Sequence, residues 1–144
     1  MGLGSSTYHL ACQLADTFGV ISGNDKTIPD LKRRLKLMGC YDRLTSMKAV
    51  NIPILEMAAR KDELERKFVE IARYQIDKEG AQLIIAGTGA IFPSLGIGSR
   101  ERIEQALGVP VLEGTGIAIK TLEMLVSLKL THSKKTYPSP AEAI

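Results

Sequence analysis

The sequence predicts a three-layer α/β/α sandwich with about four parallel strands. Three observations carry that expectation. Short apolar runs alternate along the chain with amphipathic stretches of helical period, the pattern of strands joined by helical crossovers. The runs Phe18 to Ile21 and Leu83 to Ala86 end directly in glycine or small polar residues, the composition of loops at strand ends. At 144 residues the chain is long enough to bury one core without disulfides or metals.

The elements follow in order. Ser6 to Asp16 reads as a first helix, with Leu10, Leu14 and Tyr8 inward. Phe18 to Ile21 is a short apolar strand that runs into the polar turn Ser22-Gly23-Asn24-Asp25. Thr27-Ile28-Pro29-Asp30 has the chemistry of a helix start: a hydroxyl to cap, proline in the first turn and an acid at the positive end. Leu31, Leu35 and Met38 share one face of that helix, and Gly39 ends it. Ser46 to Ile52 is a second strand, less apolar and so suited to a sheet edge, closed by Pro53.

Asp62 to Glu79 is the clearest helix. Leu64, Phe68, Ile71, Ala72, Gln75 and Ile76 trace its inward stripe, and Gly80 stops it. Leu83 to Ala86 is a buried strand that breaks at once into Gly87-Thr88-Gly89. A helix over Ser99 to Leu107 leads to the strand Val109 to Leu112, and a last helix runs from Thr115 to about Lys129. That helix is apolar on most of its circumference, through Ile117, Ile119, Leu122, Met124, Leu125, Val126 and Leu128. A small sheet covers only one face of a helix, so the rest is expected to meet a second domain or a second copy of the chain. The division is therefore one α/β domain over residues 1–130 and a polar, proline-containing tail over residues 131–144, with Pro138 and Pro140.

Function classes are bounded by what the chain carries. A net charge of +3, spread along the sequence and without interleaved aromatics, does not describe a nucleic-acid surface. Apolar runs fall short of a membrane span, and the N-terminus lacks the pattern of a signal peptide. Cys12 and Cys40 have no metal-ligand spacing with His9 or His132, so no metal and no cofactor is expected. Both cysteines read as small buried or half-buried hydrophobes, and a reducing cytosol is the expected compartment.

The candidate site follows from topology. In an open α/β sheet, ligands bind outside the carboxyl ends of the strands. Gly87-Thr88-Gly89 sits there, and its glycines let backbone approach a small anion or carbonyl. No Gly-Lys-Ser or Gly-Lys-Thr follows, so it is not a nucleotide loop. Ser22-Gly23-Asn24 lies at a second strand end, where it reads equally as a turn. Glu113-Gly114-Thr115 follows the last strand, with Thr115 in position to cap the final helix and the helix amides open to an anion.

Taken together, ADTFGVISGND, KAVNIPILEM, EGAQLIIAGTGAIF, LGVPVLEGTGIAIKTLEMLVSLKL and the tail HSKKTYPSP resemble, in order and spacing, the second half of the aspartate/glutamate/hydantoin racemase superfamily, nearest its hydantoin racemase branch. The resemblance implies a cofactor-independent isomerase with its site in a cleft between two similar domains, each giving one cysteine. One thiolate takes the proton from an α-carbon and the opposite thiol returns one to the other face. By resemblance, Thr88 stands where the family has its second cysteine, Gly87 and Gly89 flank it, and Ser22, Gly23, Asn24, Glu113, Gly114 and Thr115 match substrate-side loops. The chain is expected to begin where the family's first domain ends. A threonine hydroxyl is too weakly acidic to serve alone as the base at neutral pH, so the expected chemistry is impaired. The expected ligand is a small amino acid or hydantoin, and the expected partner a second copy or a complementary domain. The other reading is a catalytically silent α/β module that binds a small anion or a subunit through the same loops.

Overall fold

The computed structural model describes residues 2–138. Among the described residues, six α-helices and four strands, with three short 3-10 turns between them, build the domain: α1 (Leu3–Leu14), β1 (Phe18–Ser22), α2 (Ile28–Leu37), β2 (Leu44–Ala49), α3 (Lys61–Glu79), β3 (Ile84–Ala86), α4 (Ile91–Leu95), α5 (Ser99–Leu107), β4 (Val111–Leu112) and α6 (Gly114–Ser127). The four strands form one parallel sheet in the order β2-β1-β3-β4. The expected three-layer fold is therefore present, with β2 at an edge.

Alternation along the strands sorts the core into two layers, because successive side chains leave a strand on opposite faces. Ile21, Ile84, Ala86 and Val111 point to one face, where they meet Leu64, Phe68 and Ala72 of α3, Phe92 of α4 and Ile103 of α5. Phe18, Val20, Met47, Ile85 and Leu112 point to the other, against Tyr8 and Ala11 of α1 and Leu35 of α2. The β1 and β3 residues are all buried, as central parallel strands require. Phe68 and Phe92 meet edge-to-face, with ring centroids 5.5 Å apart, and this contact fixes the short α4 against α3. Gly80 closes α3 in the left-handed conformation at φ 74°, donating its N–H to the Gln75 carbonyl.

Several expectations are corrected. α1 begins at Leu3, and its inward face is Thr7, Tyr8 and Ala11, continued by Cys12 and Ala15. Leu14 falls off this helical stripe and is 54% exposed. Thr27 does not cap α2: its hydroxyl donates to the Asn24 carbonyl instead. β2 is Leu44–Ala49 rather than Ser46–Ile52, because Asn51 takes a positive φ of 53° that an extended strand cannot hold. β3 begins at Ile84 rather than Leu83, and β4 at Val111 rather than Val109. Pro110, with no N–H, contributes only its carbonyl, which accepts from Ile84 N at 3.0 Å. α4 was not expected: at five residues it is too short for a helical period to show.

The last helix also differs from a core helix. Only Ala118 of α6 is buried, while Ile119, Leu122, Met124 and Val126 are about half exposed or more. The expected apolar circumference is real, and within the described residues it is not sunk in the core. Of the tail, residues 131–138 are described; they are exposed and close a turn through Tyr137 N to Ser133 O at 2.9 Å. Pro140 lies outside the described residues.

Candidate functional site

All four strands end on the same side of the sheet, and the loops that follow β1, β2 and β3 meet there. The first loop is knitted by its own side chains. The buried Ser22 hydroxyl lies 2.7 Å from Thr27 Oγ1, which also donates to the Asn24 carbonyl at 2.7 Å. Asn24 Oδ1 accepts from Lys26 N at 2.8 Å. The turn expected at Ser22-Gly23-Asn24 is present, and its geometry presents the loop to the groove beside it.

The loop after β2 is clasped to the first one. Asp25 N donates to Asn51 Oδ1 at 3.1 Å, and Asn51 Nδ2 donates to Asp25 Oδ2 at 2.7 Å. Val50 N donates to the Ser22 carbonyl at 3.0 Å. Between these loops lies a groove of about 660 Å3, floored by Ser22, Gly23, Gly87 and Thr88 and walled by Ile52 to Glu56. At its rim Asp30 pairs with Arg33 at 2.7 Å and Arg34 at 2.6 Å, and hydrogen bonds from Arg33 and Arg34 hold its carboxyl below the usual carboxylate range. Those pairs are exposed and engage Arg34 Nε, and Lys26 is the other cation among the described residues that line the groove.

Thr88 is half-buried at the centre of this end. Its methyl carbon packs beside Gly23: a Cβ built on Gly23 would lie 3.3 Å from Thr88 Cγ2. On the other side of Gly87–Gly89, a small cavity of about 50 Å3 is bounded by Leu3, Gly4 and Thr7 of α1 and by Gly114. The glycine expected to admit a ligand at position 87 has a structural reason to be glycine. A Cβ there would lie 2.9 Å from Val20 Cγ1 and 3.3 Å from the Ile21 carbonyl oxygen. Gly87→Ala is accordingly expected to cost about 1–3 kcal/mol in unfolding free energy, read from the urea midpoint at unchanged slope. Gly89 is looser by the same measure: a Cβ there would make only ordinary contacts, with Leu3 Cδ1 at 3.7 Å and Thr115 Oγ1 at 3.9 Å.

Glu113, not Thr115, caps α6. Its carboxylate accepts from Thr115 N at 2.9 Å and Gly116 N at 2.6 Å. The amides expected to be open to an external anion are therefore taken by the protein's own carboxylate. Gly114 admits α1: a Cβ on it would meet Thr7 Oγ1 at 3.2 Å and Leu3 Cβ at 3.3 Å.

The structure thus gathers Ser22, Gly23, Asn24, Gly87 and Thr88 around one groove, and places Gly89 and Gly114 at the adjoining small cavity. Glu113 and Thr115 belong to the helix cap beside it. Sequence reasoning missed the wall Ile52 to Glu56, the clasp by Asn51 and the first turn of α1. The wall had a signal, since Asn51-Ile52-Pro53 directly follows a strand at the ligand-binding end. The α1 contribution had none, because a helix that precedes its strand starts far in sequence from the loops it borders.

Comparisons with known proteins agree with this fold. The family model for Asp/Glu/Hydantoin racemase matches residues 1–122. Hydantoin racemase from Paenarthrobacter aurescens is 24% identical over 143 residues, covering 99% of this chain and 58% of that protein. Hydantoin racemase from Rhizobium meliloti is 26% identical, covering 97% of this chain and 56% of that protein. The crystal structure of allantoin racemase from Pseudomonas fluorescens superposes with a TM-score of 0.85 at 32% identity, over 96% of this chain and 57% of that one. Allantoin racemase from Klebsiella pneumoniae superposes with a TM-score of 0.84 at 23% identity, a likeness of fold. The chain spans little more than half the length of these relatives.

Proposed function

The chain belongs to the Asp/Glu/hydantoin racemase family, and from that premise we propose that it presents one wall of a racemase-type site for a 5-substituted hydantoin or related amino-acid derivative. The observation that carries this reading is the groove at the carboxyl end of the sheet, with Thr88 at its floor between Gly87 and Gly89. Ser22, Asn24 and Lys26 supply polar and cationic groups on one side. Ile54 and Leu55, 61% and 97% exposed, supply an apolar lip on the other. A ring carbonyl suits the first side and an aliphatic 5-substituent the second, which favours such hydantoins over ligands with a polar substituent.

Inverting a stereocentre needs a base and an acid on opposite faces of the α-carbon. Thr88 stands, in this reading, where the family places a thiol, and its hydroxyl does not ionise near neutral pH. The opposite wall comes from a second copy of the chain or from a complementary domain. Proton transfer by this wall alone is therefore absent or weak, while binding is retained. The reading is tested on an enantiopure 5-substituted hydantoin with the wild-type chain and with Thr88→Cys, by α-proton exchange in heavy water and by polarimetry: the cysteine variant gains exchange over an inactive parent, and loses optical rotation to the extent that a second wall supplies the opposite acid.

A second reading has its own support. Among the described residues, neither histidine nor cysteine lines the groove beside Thr88. The groove then serves a silent module that binds a small anion or a subunit. Ligand binding with no activity in any Thr88→Cys preparation would favour it.

A further inference from the structure

The apolar wall of the groove is a short loop with a buried residue at each end. Pro53 to Glu56 carries Ile54 and Leu55 outward, between the buried Ile52 and Met57. Arg60 fastens the far end, with Arg60 Nη1 on Glu56 Oε2 at 2.6 Å. The near end is held differently. Asn51 leaves β2 at a positive φ of 53°, a conformation that Asn and Asp adopt more readily than most side-chain-bearing residues. Its Oδ1 accepts from Asp25 N at 3.1 Å and its Nδ2 donates to Asp25 Oδ2 at 2.7 Å. The pair is reciprocal: each residue gives one donor and one acceptor, and the Asp25 N–H fixes which end of the amide faces it.

The two loops joined by this pair are the two sides of the groove. Ser22, Asn24 and Lys26 lie on one, Ile54 and Leu55 on the other. They also meet at Gly23, where an added Cβ would lie 3.2 Å from Met57 Cε and 3.3 Å from Thr88 Cγ2. Met57, the buried anchor of the lip, and Thr88, on the floor, therefore both pack on the loop that Asn51 holds. We propose that Asn51 is a positioning residue: through Asp25 it holds the lip of Ile54 and Leu55 at a fixed span from the polar side of the groove, and so makes the site select its ligand by the size of the 5-substituent. This role rests on the reading of the groove as a hydantoin-type site and adds to it the element that sets specificity. The polar side is braced by its own bonds, Ser22 to Thr27 and Asn24 to Lys26, which do not involve Asn51. With the lip held, each methylene of the substituent is buried against Ile54 and Leu55 and tightens binding. With the lip released, the ring still binds and the substituent is no longer read.

The test measures the affinity of the full chain for hydantoin, 5-methylhydantoin and 5-isobutylhydantoin by calorimetry. Wild type is expected to gain roughly two- to fourfold in affinity per carbon added. Asn51→Asp keeps the size and suits the positive φ, but sets a second carboxylate against Asp25 Oδ2 and drives the pair apart. It is expected to hold affinity for unsubstituted hydantoin within roughly twofold and to lose most of the dependence on the substituent, while exchange of the Asp25 amide hydrogen speeds by roughly tenfold. Asn51→Gly, which suits the same backbone and offers no amide, is expected to do the same. Adding Asp25→Asn to Asn51→Asp swaps donor and acceptor between the two side chains, and should restore both the selectivity and the slow exchange. Faster exchange in either single variant with selectivity unchanged, or a double variant that regains slow exchange without selectivity, would overturn the role of Asn51 and leave the reading of the groove standing. Failure of the wild type to bind any of the three hydantoins would overturn both.

Discussion

Thr88→Cys is expected to give the chain α-proton exchange on a 5-substituted hydantoin in heavy water, at a rate roughly 10²–10⁴ above the wild type. The side chain at this position is half-buried at the ligand-binding end of β3, so the substitution places a thiol without moving the loop. Cysteine is no larger than threonine and removes the methyl that now packs against Gly23. A thiol ionises near pH 8.5, whereas an aliphatic hydroxyl stays protonated throughout the workable range. In the proposed reading, Asn24 and Lys26, which line the groove, stand beside the ring carbonyl on which charge would develop. With one wall only, the same thiol removes and returns the proton on one face. Deuterium uptake should then outrun loss of optical rotation. Equal rates would mean that a second acid works from the opposite side, as the proposed second wall would supply. Absence of exchange in a variant that still binds ligand would remove the catalytic reading and leave the silent module.

Phe68→Ala should cost about 3–5 kcal/mol of stability, read from the shift of the urea midpoint. Phe68 is fully buried at the centre of the larger core layer. Truncation deletes its own apolar contacts and leaves a cavity that the surrounding sheet and helices fill incompletely. It also removes the edge-to-face contact with Phe92. Phe92 is in α4, the short helix that begins just after Gly89, so α3 holds the glycine loop in place through this pair of rings. Loss of ligand affinity at temperatures where the variant remains folded is therefore expected to accompany the loss of stability. Phe68→Leu, which keeps most of the volume, should recover much of both.

Much of the fold was legible because its signals are local and redundant. α3 shows a full apolar stripe over 19 residues with a glycine behind it, and the structure departs from the expected start by one residue. The parallel order followed from alternation, since strands separated by helices pair through crossovers. Boundaries were less legible where tertiary contacts set them. β2 ends early because Asn51 turns to clasp Asp25, a bond between residues of two separate loops. Thr27 has the chemistry of a cap, yet Ser22 and Asn24 claim its hydroxyl, and at α6 the longer reach of Glu113 takes the cap from Thr115. The candidate site was legible as loops at strand ends. It was not legible as a groove, because its apolar wall at Ile54 and Leu55 and the helix start at Leu3 to Thr7 come from segments without a motif of their own.

The most direct measurement is a titration of the isotope-labelled chain with a 5-alkylhydantoin, followed amide by amide. The account predicts saturable shifts that converge on Ser22 to Thr27, Ile52 to Glu56 and Gly87 to Gly89, with α3 and α5 unmoved. Shifts confined to the exposed face of α6, or no saturable shift at any concentration the ligand allows, would contradict it.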